Sequence, residues 1–158
     1  MSTVYETLVA LLDGEGARYR VIDHPAEGRS DLVATIRGTA PGQGAKAMLC
    51  KSKDDGQTLI LAILPGDQKL DFKKVAAAGQ IKKATLASAE EAERETRCVI
   101  GAIPPFSFSS NIKLVVDPRL VNSFDEIAFN AGRLDKSIVL DSSDYVRIAQ
   151  PLLEPLCV

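Results

Sequence analysis

The side chains able to do covalent chemistry in this sequence are few, and their spacing narrows what they can do. There is one histidine, His24, set beside Pro25, and three cysteines, Cys50, Cys98 and Cys157, without metal-ligand spacing. Cys98 lies in an apolar run, where burial raises a thiol pKa and blunts the nucleophile. No Gly-x-Ser-x-Gly elbow is present. Asp125, Glu126, Asp135 and Asp141 supply carboxylates, but nothing in their spacing selects an acid–base pair. What remains is backbone chemistry, and one stretch suits it: Cys98–Val99–Ile100–Gly101–Ala102–Ile103–Pro104–Pro105–Phe106. An apolar strand Cys98–Ile100 is expected to enter, Gly101 lets backbone approach a ligand or take positive φ, and Pro104 and Pro105 stiffen the exit. Such a loop leaves the N–H groups of Ala102 and Ile103 to hold an oxyanion or polar ligand. It also reads as a plain proline-bearing turn between strands.

Lys46 is the second candidate. Alternation along Ala45–Lys51 puts Lys46, Met48 and Cys50 on one face of a strand. A lysine at the start of such a face either snorkels to solvent or reaches into a pocket mouth.

The elements that would position these residues follow from pattern. Thr3-x-x-Glu6 is a capping box for a helix over Val4 to Asp13. Arg18 to Asp23 alternates as a strand with Tyr19 and Val21 on one face. Ser30 is expected to cap a helix running through Arg37 and stopped by Gly38. Pro41–Gly42–Gln43–Gly44 reads as a flexible turn. Asp54–Asp55–Gly56 marks a hairpin, and its second strand, Thr58–Leu64, is apolar enough to be buried on both faces. Asp71 caps a helix through Ala78 ended by Gly79, Ile81–Leu86 is a short strand, and Ser88-x-x-Glu91 opens a charged, exposed helix. Strands follow at Lys113–Val116, Glu126–Asn130 and Ser137–Leu140, with Arg119–Phe124 helical or irregular. Asp141 or Ser142 caps a last helix, and the tail from Pro151 has little pattern. About seven strands and four to five helices, without regular β-α-β alternation, predict an α+β domain around a mixed, largely antiparallel, barrel-like sheet flanked by helices.

Length and composition fit one domain over residues 1–158: hydrophobic residues make up 46% and charged residues 25%. No apolar run reaches membrane-span length and the start does not read as a signal peptide, which together predict a reducing, cytoplasmic location. A net charge of −2 argues against gripping DNA or RNA over a large surface, though not against a local contact with an RNA end. Lysines cluster at Lys46, Lys51 and Lys53 and at Lys69, Lys73, Lys74, Lys82 and Lys83, either to meet phosphate or as solvated faces. No metal or cofactor is expected.

Several stretches carry a family resemblance. The Gly-x-x-x-Pro loop Gly101–Pro105 and Gly42–Gln43–Gly44–Ala45–Lys46 are the first. Ile36–Arg37–Gly38–Thr39–Ala40, Phe124–Asp125–Glu126–Ile127–Ala128–Phe129–Asn130–Ala131–Gly132 and Leu134–Asp135–Lys136–Ser137 follow in order. Together they resemble the YbaK / prolyl-tRNA-synthetase insertion-domain family of editing deacylases, closest to its free-standing YeaK branch, from about Tyr5 to Pro151. The resemblance implies the curved, barrel-like family fold with a pocket on one side. It implies trans-editing hydrolysis of mischarged aminoacyl-tRNA, with the terminal ribose hydroxyl of the tRNA helping to activate water and with positioning in place of a side-chain nucleophile. Carried over, Lys46, Gly101 and Ala102 are the catalytic positions. Tyr19, Ile103, Pro104, Pro105, Phe106, Ala131, Gly132, Asp135 and Ser137 line the substrate. The implied partners are the tRNA acceptor end and a possible aminoacyl-tRNA synthetase. Ala102, Ala131 and Gly132 leave room for a small amino acid. The synthetase domain's late histidine has no counterpart here, and Ser107, Ser109, Ser137 and Asp135 suit a substrate hydroxyl, so serine or threonine is favoured, with alanine as an option. A module that binds tRNA ends or aminoacyl esters without turnover is the alternative, and a small-molecule esterase a third.

Overall fold

The computed structural model describes residues 2–158. Eight strands and six helices succeed one another among these residues. In chain order they are α1 (Val4–Gly14), β1 (Tyr19–Asp23), α2 (Ser30–Arg37), β2 (Ala45–Ser52), β3 (Leu59–Pro65), α3 (Phe72–Gly79), β4 (Ala84–Leu86), α4 (Ala89–Thr96), β5 (Ile112–Val116), α5 (Pro118–Ser123), β6 (Glu126–Arg133), β7 (Lys136–Asp141), α6 (Ser142–Ala149) and β8 (Leu152–Leu153). Local chemistry accounts for most boundaries. Thr3 and Ser88 close capping boxes with Glu6 and Glu91. Asp71, Asp117 and Asp141 accept the first free amides of α3, α5 and α6. Ser30 does not cap α2: it is already helical, and Arg29 stands at the cap without a side-chain bond.

The strands form two sheets. A five-stranded sheet runs β4-β2-β3-β5-β8 and a three-stranded one β1-β7-β6. The hairpin β2–β3 is antiparallel with Lys46 opposite Leu64, whereas β3–β5 and β5–β8 are parallel. The fold is thus α+β with mixed pairing, split into two sheets where one was expected. A parallel bridge between Gly44 and Ala128 ties them together.

β3 shows why a continuous apolar run was needed. Leu59, Leu61 and Ile63 enter the larger core with α1, β6 and β7, while Ile60 and Ala62 point the other way, into a smaller core against Val75 and Ala78 of α3. Tyr145 is fully buried and donates from its hydroxyl to the Pro105 carbonyl at 2.6 Å. Its ring meets Phe106 edge-on, which fixes the exit of the proline loop.

Three expectations are corrected. Cys98–Ile100 is not a strand: Arg97 caps α4 in a left-handed conformation (φ 62°), and the chain turns at once, leaving Val99 and Ile100 exposed at 43% and 56%. The tail from Pro151, read as having little pattern, carries a strand: β8 pairs with β5, and Asp117 accepts the amides of Leu156 and Cys157. The Pro41–Gln43 turn is a 3-10 turn held by the Gln43 side chain on the Ala40 amide.

Candidate active site

Lys46 is the second residue of β2, two residues past the bridge that joins the sheets. Its ammonium does not snorkel freely. It donates to the Gln68 carbonyl at 2.5 Å and borders a cavity of about 190 Å³. Partial burial lowers its pKa, against the opposing pull of Cys157 and Asp67. The opposite wall is the glycine loop, with Gly101 and Ile103 on the lining.

That loop is a tight turn. The Ala102 amide donates back to the Val99 carbonyl at 3.0 Å, and Gly101 takes φ +89°. The Ala102 N–H is therefore spent inside the turn and is not the free donor expected of it. Among the described residues, the amides of Gly101 and Ile103 have no acceptor, and both residues line the cavity, so the unspent donors sit one residue to either side of Ala102. A Cβ on Gly101 would lie 2.7 Å from Gly28 Cα, so the turn packs directly on the backbone that leads into α2.

Asn130 of β6 locks this turn from beneath, and sequence reasoning did not single it out. Its amide nitrogen donates to the Gly101 and Glu27 carbonyls, both at 2.8 Å. Its oxygen accepts from Arg37 Nη2 at 3.0 Å and from the Ser137 hydroxyl at 3.0 Å. Ser137 Oγ also accepts from Arg37 Nε at 2.7 Å and lies 2.7 Å from His24 Nε2. Ser137 is fully buried under the cavity and shapes it through these partners. Arg37, at the end of α2, lines the cavity itself. Burial alone pulls its pKa down to about 10.

The remaining expected residues fall elsewhere. Tyr19 donates to Asp13 at 2.6 Å on an exposed edge, and that bond, helped by burial, raises the phenol to about 12. Asp135 forms an exposed ion pair with Arg133 at 2.9 Å in the β6–β7 turn. Ala131 is core, and Gly132 sits in the bulge of β6, its amide on the Ala102 carbonyl. Pro104 and Phe106, with Ser107 and Ser109, border a separate cavity of about 260 Å³, and Pro105 lies beside it, holding Tyr145. Ile103 is the wall common to both cavities. The sequence grouped these residues because the loop is continuous; the structure divides them because the loop passes between two hollows. Ser107 hydrogen-bonds the Ser109 and Ile112 carbonyls and so closes a local turn.

No thiol joins the site. Cys50, Cys98 and Cys157 are buried and unpaired, and burial pushes Cys50 and Cys157 up to about 12 and Cys98 to about 11. Replacing all three by alanine or serine is expected to lower stability and to leave turnover in place wherever the protein stays folded. Abolished turnover in a variant with native circular dichroism would contradict this.

The site is a hollow with cations and backbone amides on its walls and without a side-chain nucleophile. No helix among the described residues is long and apolar enough to cross a membrane. A family model described as an aminoacyl-tRNA editing domain matches residues 24–148. A curated relative from Escherichia coli, the multifunctional Ser/Thr-tRNA deacylase ProXp-y, is 53% identical over 153 residues, spanning 96% of this chain and 92% of that protein. Among solved structures, a hypothetical protein superposes with a TM-score of 0.86 at 20% identity, over 97% of this chain and 100% of its own. A candidate trans-editing enzyme for prolyl tRNA synthetase does so at 0.82 and 19%, over 100% and 99%. At those identities the structural likeness speaks for the fold. Because most of the chain lies within the family match and a full-length relative shares over half its residues, the chain belongs to the aminoacyl-tRNA editing domain family.

Proposed function

We propose that this protein is a trans-editing hydrolase that removes small amino acids, serine and threonine foremost and alanine secondarily, from mischarged tRNA. The observation that carries the reading is the cavity between Lys46 and the Gly101 turn, with two free amides on one wall and an ammonium on the other. The curated relative's name supports the substrate class. An aminoacyl ester is already activated, so a site that positions it and stabilises the developing oxyanion suffices; one such donor contributes roughly 3–4 kcal/mol. The amides of Gly101 and Ile103 meet the carbonyl oxygen, Lys46 holds the terminal nucleotide, and the tRNA's own ribose hydroxyl helps to activate water. The whole chain acts as one editing domain in the cytoplasm, where a synthetase that mischarges tRNA is its natural partner.

Selectivity rests on size and on polar pairing. A hollow of about 190 Å³ suits a small side chain better than a large one. Losing one methyl changes binding by only about 1–3 kcal/mol, so polar groups must do the finer sorting. Ser30 on the lining takes the part that Ser107, Ser109 and Asp135 were expected to play, while Asn130 and Ser137, whose side chains are already fully hydrogen-bonded, hold the wall in shape. Single-turnover rates on seryl-, threonyl-, alanyl- and prolyl-tRNA, measured side by side, test the assignment. Both hydroxylated substrates are expected to be cleaved fastest. Alanyl-tRNA cleaved faster than both would overturn the selectivity, and tight binding without release of any amino acid would favour the non-catalytic module.

A further inference from the structure

We propose that Arg37 is the anion anchor of this cavity and takes the 5′-phosphate of the substrate's terminal nucleotide. The inference rests on the deacylase reading and adds a residue and a ligand group to it. Two cations, Arg37 and Lys46, border the cavity, and no carboxylate does. The nearest acids are turned to other tasks. Glu27 accepts the amides of Gly28 and Arg29, and Asp67 lies on the far side of Lys46, beside Gly42. His24, on the opposite side of Ser137, adds no negative charge.

The guanidinium is held in one orientation. Its Nε edge is fixed by Ser137 at 2.7 Å and Asn130 at 3.0 Å, both neutral acceptors. A guanidinium carries five N–H donors in a planar fork, so the Nη1–Nη2 edge stays unpaired. Among the described residues no acceptor meets it. Nη1 passes close to the Gly44 backbone, at the lip of the cavity beside Lys46. A half-buried cation without a counter-charge is costly, and the lowered pKa records that cost. The free edge has the geometry that matches two oxygens of a phosphate at once. The 3′ end of an aminoacyl-tRNA offers one permanent anion near its ester, the phosphate of the terminal nucleotide. Lys46 is then left to the ribose and ester side, tethered to Gln68.

The test uses the intact protein and two pairs of probes. In the first, adenosine and adenosine 5′-monophosphate are titrated against the wild-type protein, with inorganic phosphate as a third arm. The monophosphate is expected to bind at least about tenfold more tightly than the nucleoside, with a preference that shrinks as ionic strength rises. Equal affinity for the two, or inorganic phosphate binding as tightly as the monophosphate, overturns the proposal. In the second, release of serine from 3′-O-seryl-adenosine is compared with release from its 5′-phosphate. The wild-type preference for the phosphorylated ester is expected to fall at least about tenfold in Arg37→Met, and partly in Arg37→Lys, which keeps charge but loses the fork. An unchanged preference in folded variants overturns the proposal. Failure of the wild-type protein to cleave either ester overturns the deacylase reading instead, and the titrations still decide whether Arg37 holds a phosphate.

Discussion

Lys46→Ala is expected to lower kcat/KM for seryl-tRNA by about 100-fold or more while the protein keeps its fold. The ammonium is one of the two cations bordering the cavity beside the junction of the sheets, and removing a preorganised charged donor from a partly buried site typically costs about 10²–10³ in rate. The structural loss is modest. One hydrogen bond to the Gln68 carbonyl disappears, worth about 1 kcal/mol, and that carbonyl can turn to water. For a chain of this length that shifts Tm by roughly 2–4 °C. Lys46→Met separates charge from packing, since it retains most of the apolar stem. Both variants are expected to lose the same activity, and Lys46→Met less stability. A folded Lys46→Met with wild-type single-turnover rates would remove Lys46 from the mechanism.

Gly101→Ala is expected to damage stability and activity together. The structure adds two costs to the folded state. The residue sits at φ +89°, which an L side chain tolerates at about 1–2 kcal/mol. Its Cβ would also lie 2.7 Å from Gly28 Cα and 2.9 Å from Gly28 O, so one backbone must move. Overpacking of this kind costs about 1–3 kcal/mol more. The sum predicts a Tm lower by roughly 4–20 °C and a displaced pair of amides at the cavity wall. Gly16→Ala is the control, with φ +66° and nothing within 4 Å of the added carbon. It carries the strain without the collision and is far from the cavity. Melting curves and single-turnover rates for the two variants isolate the contribution of the Gly28 contact. Gly101→Ala with Gly16-like stability and full turnover would show that the close approach has no functional weight.

Much of the frame was legible because its signals are local. Both capping boxes, the Asp54–Gly56 hairpin and the doubly buried β3 each depend on residues within one turn or one strand of each other. Cys98–Ile100 misled because three apolar residues look the same in a strand and in a tight turn; Arg97 in the left-handed region and the bond from Ala102 to Val99 decide it. β8 was missed because two exposed leucines carry no periodicity, and it is the distant Asp117 that holds the segment after them. The site divided in the same way. Lys46 and Gly101 could be reached from motif and strand phase. Arg37 and Asn130 lie 93 residues apart in sequence and have meaning only as a pair, which no local pattern announces. The bulge in β6 further obscures which side Asn130 faces.

The bridge between Gly44 and Ala128 gives the cavity a mechanical character. One wall rides on the five-stranded sheet through Lys46, and the facing floor rides on the three-stranded sheet through Asn130. The two sheets also share one close-packed interior, in which Leu61 and Ile63 of β3 lie with Phe129 of β6 and Ile138 of β7, so the joint is backed by core. The width of the hollow is therefore a collective coordinate, set by how two sheets seat on one bridge and one shared core. A substitution at Ala128, out of reach of any bound molecule, would change the fit of every substrate at once.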